Sequence, residues 1–205
     1  MADTQTSAVR ADAQRNRQRL IEVARQAFTA GEGKVSLEAV AREAGVGIGT
    51  LYRHFPTREA LVEAVYRAER ARLCDAADEL LAEQEPEHAL RAWMDRFADY
   101  VATKRDMADT LRALIASGAV TRVESREELS RAVRKLLDAG AAAGTLRGDV
   151  GAEDVVVSLV GIVTVCTLPE QREQAERLLD LLMDGLRQNS DKSSDKGSAE
   201  NQAGS

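Results

Sequence analysis

The sequence predicts an all-α protein of about nine helices: an N-terminal three-helix unit containing a helix-turn-helix, followed by a larger C-terminal helical body. Three observations carry that prediction. The 205 residues include only three prolines and seven aromatic residues, while Ala, Leu, Arg and Glu abound, a composition that favours helix over sheet. Apolar positions recur at helical spacing along most of the chain. The segments defined in this way begin and end at capping residues, Gly or Pro.

The first periodic segment runs from about Arg15 to Ala30, with Leu20, Ala24, Ala27 and Phe28 on one face and Gly31 and Gly33 as stops. The second opens at Ser36, a favoured N-cap, puts Leu37, Val40, Ala41 and Ala44 on one face, and ends at Gly45. The third is short, from Gly47 or Ile48 to Phe55; it turns Leu51 and Phe55 inward and is broken by Pro56. Thr57 caps a long fourth helix reaching about Gln84. Pro86 suits a first helical position before a helix to about Thr103, and a further helix follows from Asp106 to Ser117. Ser125-Arg126-Glu127-Glu128 reads as a capping box opening a helix that ends before Gly144. Ala152–Cys166 and Pro169–Gln188 complete the set.

Several function classes are excluded early. Cys74 and Cys166 lie 92 positions apart, and the two histidines, His54 and His88, fall in no ligand spacing, so neither a disulfide framework nor a metal site is expected. The longest apolar stretch, Val155–Cys166, is too short to span a bilayer, and the expected location is the cytoplasm with no membrane partner. No P-loop, GxGxxG, GxSxG or HExxH pattern occurs, so neither catalysis nor a cofactor is expected. The net charge of −6 conceals an asymmetry, because residues 15–58 carry +4. Such asymmetry fits a nucleic-acid-facing segment joined to an acidic body.

Two short helices joined by Gly45-Val46-Gly47 make a helix-turn-helix, in which the second helix enters the major groove. With Leu51 and Phe55 inside, its outward set is Ile48, Thr50, Tyr52, Arg53 and His54. Arg53 suits a guanine edge or a phosphate, Thr50 and Tyr52 offer hydroxyls, and Ile48 suits a thymine methyl. Exposed amides at the helix starts near Ser36 and Gly49, and after Pro56 near Arg58, suit phosphates. Tyr52 also reads as partly core, and His54 equally as a helix-end cap. Arg15, Arg17 and Arg19 read either as a solvated face or as phosphate or minor-groove contacts.

Ser36-Leu37-Glu38-Ala39-Val40-Ala41-Arg42-Glu43-Ala44-Gly45-Val46, then Gly49-Thr50-Leu51-Tyr52-Arg53-His54-Phe55, then Arg58-Glu59-Ala60-Leu61 resemble the N-terminal signature of the TetR family of transcriptional regulators. The resemblance covers about residues 14–73; the remainder is similar in layout only. It implies a homodimer that binds a palindromic double-stranded DNA operator, usually as a repressor, and is released by a small-molecule effector in the second domain. It makes Ser36 a phosphate contact, Thr50 and Tyr52 recognition-helix contacts, and Arg53 and His54 base or backbone contacts. Arg58 stands where a phosphate-binding Lys is usual. Gly47 replaces a capping hydroxyl, Ile48 a basic or polar residue, and Glu38 a base-reading Arg of some members.

The resulting division is a flexible arm at 1–13, a DNA-binding domain at 14–73 with its motif at 36–55, a ligand-binding and dimerisation domain at 74–188 and a disordered tail at 189–205. Trp93, Phe97 and Tyr100, with Met94 beside them, form an aromatic face in an aromatic-poor chain; Met107, Leu111, Leu114 and Ile115 suit an opposite wall. This set reads as a pocket for an apolar or aromatic effector, or as ordinary core. Ala152–Cys166 is apolar nearly all round and calls for cover on both sides. One reading is a four-helix bundle across a two-fold axis through Val156, Leu159, Val160, Val163, Leu178, Leu182 and Leu186; the other is the core helix of a monomer. The competing function is a helical ligand-binding or scaffold protein whose helix-turn-helix contacts protein.

Overall fold

Where propensity and patterning agree the backbone follows them, and among the described residues every regular element is helical. The computed structural model describes residues 2–29, 35–166 and 168–188. It contains α1 (Ala2–Thr29), α2 (Leu37–Glu43), α3 (Ile48–His54), α4 (Arg58–Glu83), α5 (Pro86–Asp106), α6 (Ala108–Ala116), α7 (Arg122–Ala142), α8 (Ala152–Val165) and α9 (Arg172–Leu186). A 3-10 turn at Pro169–Gln171 precedes α9. The expected stops at Gly31 and Gly33 and the expected tail at 189–205 lie outside the described residues.

Two expectations need revision. The segment read as a flexible arm is helical from Ala2, because residues 2–14 contain neither Pro nor Gly and are mostly good helix formers even without an apolar face. Ser125 does not open α7, which starts a turn earlier at Arg122. There the Thr121 hydroxyl donates to Glu124 at 3.2 Å, and Ser125 instead donates back to the Thr121 carbonyl at 3.0 Å.

Packing divides the described chain into two units. One holds the residues up to Ala76 together with Asp95–Leu129; the other holds Ala77–Met94 and the residues from Ser130 onward. This differs from a linear split after residue 73, because α4, α5 and α7 each lend residues to both.

In the first unit α1 packs on α2 and α3, and α2 on α3. Their shared interior is Leu20, Ala24 and Phe28 from α1, Val40, Ala41 and Ala44 from α2, and Leu51 and Phe55, joined by Leu61, Val62 and Val65 of α4; all are buried. An ion network links α1 to α4: Glu22 accepts from Arg25 at 2.6 Å and from Arg72 at 2.7 Å, and Glu69 lies 3.7 Å from Arg25. The Arg25 hydrogen bond holds the Glu22 carboxyl down to about 2, whereas burial pushes Glu69 up.

In the second unit α8 packs on α9 through Val155, Val156, Leu159 and Val163 against Leu179, Met183 and Leu186, all buried. The end of α9 is stitched to the α7–α8 loop: Arg147 N–H donates to the Leu186 carbonyl at 2.9 Å and Gln188 N–H to Thr145 at 3.0 Å. Leu146, at the centre of that stitch, is buried against Gly140 of α7, where an added Cβ would stand 2.8 Å from the Leu146 Cβ.

Gly140→Ala is therefore expected to destabilise the fold by about 1–3 kcal/mol through overpacking, read as a lower Tm, with part of the loss recovered in Gly140→Ala/Leu146→Val. Because folding lowers the Glu22 pKa, the stability it confers is complete well above pH 4.5 and lost as pH falls toward 2. Acid titration followed by circular dichroism should show a shallower decline over that window for Glu22→Gln than for the parent protein.

Candidate functional site

The helix-turn-helix is built by its caps and its turn. Ser36 Oγ accepts the Ala39 N–H at 3.0 Å and starts α2. Gly45 ends it at φ +67°, with its N–H on the Arg42 carbonyl at 3.1 Å and the Val46 N–H on Ala41 at 3.0 Å. That pair of bonds is a Schellman motif, and its left-handed residue favours Gly. Gly47 then opens α3 in extended conformation with no side-chain cap. Thr57 Oγ1 accepts the Ala60 N–H at 3.2 Å and launches α4 directly after Pro56.

With Leu51 and Phe55 inward, the expected outward residues fall where the spacing put them. Ile48 is 40% exposed and Tyr52 44%. Gly47, Gly49 and Arg53 are exposed, and Thr50 and His54 are half-buried. The Arg53 guanidinium lies along α3, donating to the Gly49 carbonyl at 3.2 Å and the Thr50 hydroxyl at 3.4 Å, which leaves further N–H groups facing outward. Ser36 is exposed while capping α2. Arg58 is placed otherwise than a simple phosphate contact: it is half-buried, donates to the Val35 carbonyl and lies 5.7 Å from the Phe28 ring centroid. Arg17 covers the Phe55 ring at 5.2 Å, and Arg15 pairs with Asp12.

The residues named for a ligand are buried but do not all fall in one unit. Trp93 and Met94 belong to the second, whereas Phe97, Tyr100, Met107, Leu111 and Leu114 belong to the first. A groove of about 170 Å³ in the second unit is lined by Glu87, His88, Arg91, Asp180, Met183, Asp184 and Arg187. Its arginines are paired, Arg91 with Asp180 at 2.8 Å and Arg187 with Glu87 at 2.7 Å.

Sequence reasoning missed a buried polar group in the first unit. Tyr66 and Arg70 of α4 meet Ser125 and Glu128 of α7, and Lys104 of α5 lies over the rings of Tyr66 and Tyr100. The available signal was the i, i+4 spacing of Tyr66–Arg70 and Tyr100–Lys104, which sets an aromatic ring beside a cation on one helix face.

Of the residues named for a dimer, Val156, Leu159, Val163 and Leu186 are buried in the protomer's own interior, Leu178 and Leu182 are half-buried, and Val160 is exposed. Beside Val160 the apolar side chains open to solvent are Val157, Val165, Leu168 and Leu181.

A capped, tight-turned helix pair presenting Ile48, Tyr52 and Arg53 from its second member defines a helix-turn-helix DNA-binding protein. Among the described residues no group of three or more His, Cys, Asp and Glu is placed to hold a metal, and no helix is long and apolar enough to cross a membrane. Comparison with known proteins extends this. Residues 20–65 match the model of bacterial regulatory proteins of the tetR family, and residues 85–188 that of the SbtR-like transcriptional regulator C-terminal domain. A TetR transcriptional regulator from Streptomyces coelicolor is 52% identical, with the match covering 85% of this chain and 99% of that one at a TM-score of 0.77. A TetR transcription regulatory protein from Mycobacterium vanbaalenii is 36% identical over 87% of this chain and 99% of its own, at 0.68. An HTH-type transcriptional regulator of Staphylococcus aureus strain USA300 is 44% identical over 54 residues, which span 26% of this chain and 29% of that protein. The chain belongs to the TetR family of transcriptional regulators and is a DNA-binding regulator, not an enzyme.

Tyr52 and Arg53 are exposed, whereas Arg58 is half-buried and tied to Val35. Tyr52→Ala/Arg53→Ala is expected to lower affinity for bound promoter DNA at least ~10-fold in fluorescence anisotropy while leaving Tm nearly unchanged, because both side chains are exposed. Arg58→Ala is expected to lower Tm as well, by removing the tie to Val35.

Proposed function

We propose that the protein is a homodimeric transcriptional repressor that binds a palindromic operator through α2 and α3 and leaves it when a small-molecule effector binds the ligand-binding domain. The observation that carries the reading is the outer face of α3: Ile48 and Tyr52 exposed beside Arg53, on a helix whose inner face is locked into a core. An apolar side chain, a phenol and a guanidinium at successive outward positions suit a thymine methyl, a phosphate or sugar, and a guanine edge. Ser36, Gly47, Gly49, Thr50 and His54 flank them at the helix starts and along α3, and Arg58 supports them from below.

Dimerisation is supported by the side chains that the second unit leaves in water. Val157 is 51% exposed, Val165 73% and Leu181 66%, with Val160 among them. A two-fold contact through α8 and α9 would cover this set and give the operator two half-sites about 34–36 Å apart, or a multiple of that. An apolar effector body is supported by Phe97, Tyr100, Met107, Leu111 and Leu114, which line the interior of the first unit. The site of action is the cytoplasm, where the operator lies.

Selection of genomic fragments by the purified protein, followed by footprinting, tests the reading. The expected result is a protected inverted repeat and an affinity that falls steeply with salt. Val160→Glu/Leu181→Glu is expected to shift the protein from dimer to monomer in light scattering and to abolish binding to that repeat; an unchanged mass would overturn the assigned interface.

A further inference from the structure

Among the described residues, the buried polar group of the first unit has a phenol donor with no acceptor at full hydrogen-bond geometry and an ammonium with no carboxylate beside it. Ser125 fixes the direction of its hydrogen bonds. Its hydroxyl donates to the Thr121 carbonyl at 3.0 Å, and its oxygen accepts from Arg70 Nη1 at 2.7 Å. The remaining bond, to the Tyr66 hydroxyl at 2.8 Å, is then donated by Tyr66. Arg70 is balanced by Glu128, whose Oε2 lies 2.7 Å from Nε. Lys104 has no such counterpart: its ammonium sits 4.1 Å from the Tyr100 ring centroid and 5.1 Å from that of Tyr66, and among the described residues no carboxylate pairs with it. The Tyr100 hydroxyl is buried and, among the described residues, meets no acceptor at full hydrogen-bond geometry; its polar neighbour is the Tyr66 phenol, already committed as a donor to Ser125.

Two cations against one carboxylate, with a phenol O–H left over, is a site short of one anionic acceptor. Aromatic faces attract an ammonium but accept no conventional hydrogen bond, so they replace only part of the water that burial removes. A ligand carboxylate would supply both missing items, a charge for Lys104 and a lone pair for Tyr100.

We propose that Lys104 and Tyr100, backed by Tyr66, are the acid-recognising end of the effector site, and that the effector is a small-molecule carboxylate with an apolar body. The inference rests on the effector-responsive reading above and narrows it. The apolar body would lie against Phe97, whose ring centroid is 6.2 Å from that of Tyr100, and the buried Met107 and Leu111. Burial drives the Lys104 pKa down, and Tyr66 lies below its ordinary value because Lys104, Ser125, Tyr100 and Arg70 together outweigh its own burial. The long, flexible Lys104 stem lets its ammonium move from the ring face onto an entering anion. Tyr66 and Arg70 belong to α4, the helix that brings Leu61 and Val62 into the helix-turn-helix core, so the site touches the element on which the reading head is built.

The test uses phenylacetate and octanoate, each against its own amide and against inorganic phosphate. Thermal shift of the full chain without DNA reads binding; anisotropy on the selected operator reads release. The expected result is that a carboxylate raises Tm by several degrees where its amide and phosphate do not. The effect should vanish in Lys104→Met and weaken about tenfold in apparent affinity in Tyr100→Phe, a variant that loses one oxygen atom and keeps the ring packing. Equal stabilisation by acid and amide, stabilisation by phosphate alone, no stabilisation by either acid, or a carboxylate response retained in both variants would overturn the assignment. Carboxylate binding without operator release would support the site and overturn the effector-responsive reading; release by a neutral compound, kept in Lys104→Met, would do the reverse.

Discussion

A seven-residue helix does not persist alone in water, where helices shorter than about 12–15 residues are marginal even with favourable sequences. α3 exists because Leu51 and Phe55 are buried in the interior shared by α1, α2 and α4. Each such burial contributes about 1.5–3 kcal/mol, more than the propensity difference of about 0.7–1 kcal/mol available at any one position of the helix. The rest of the reading head follows from this constraint. With two positions four residues apart committed inward, the residues between and around them must face out, and their chemistry is released from any packing role. Ile48 and Tyr52 are among the side chains so released, each roughly two-fifths exposed.

α4 extends the same logic inward. It starts at a sharp Pro56-Thr57 break, places Leu61, Val62 and Val65 in the helix-turn-helix core, and a turn later brings Tyr66 and Arg70 to the Ser125–Glu128 face of α7. At 1.5 Å per residue, Leu61 and Tyr66 are separated by about 7.5 Å along one rigid element. If an effector at the polar cluster moved α4, the shared unit would offer a route to the packing that holds α3. No chain of intermediaries is required, because both sets of side chains hang from the same helix and share the same unit.

The sequence was most readable where the signal was local. Ser36, Gly45, Pro56 and Thr57 mark boundaries because their side chains or φ preferences act on neighbouring backbone, and the inward spacing of Leu51 and Phe55 follows from helical geometry alone. It was least readable where a long-range partner decides. Ser125 carries a capping-box pattern, yet Arg70 and Tyr66, more than fifty residues away, occupy its hydroxyl inside α7. Arg58, which by resemblance stands at a phosphate-binding position, also donates to the Val35 carbonyl and lies against the Phe28 ring. For Lys104 the sequence offers only the i, i+4 spacing from Tyr100, and the fold adds the second ring, that of Tyr66. Val156, Leu159 and Val163 illustrate the same limit: an all-round apolar helix states how much cover it needs, but not which stripe is covered by its own chain.

The charge distribution sets the terms on which that remaining stripe can be covered. α8 and α9 keep Val157, Val160, Val165 and Leu181 in water, while Glu153 and Asp154 open α8 and Glu173, Glu176, Asp180 and Asp184 line α9. Within the protomer Arg172, Arg177, Arg91 and Arg187 pair with Glu176, Glu173, Asp180 and Asp184, so in the proposed dimer a second copy would chiefly bring Glu153 and Asp154 toward the first, as charge uncompensated among the described residues. Like charges a few ångströms apart repel, and they do so more strongly as water is removed between them. A two-fold contact is thus favourable only if the apolar stripe meets itself while the acidic rows stay in the hydrated rim. In such a dimer Glu153 and Asp154 would favour the aligned pairing over shifted ones, at little cost to the central apolar contact.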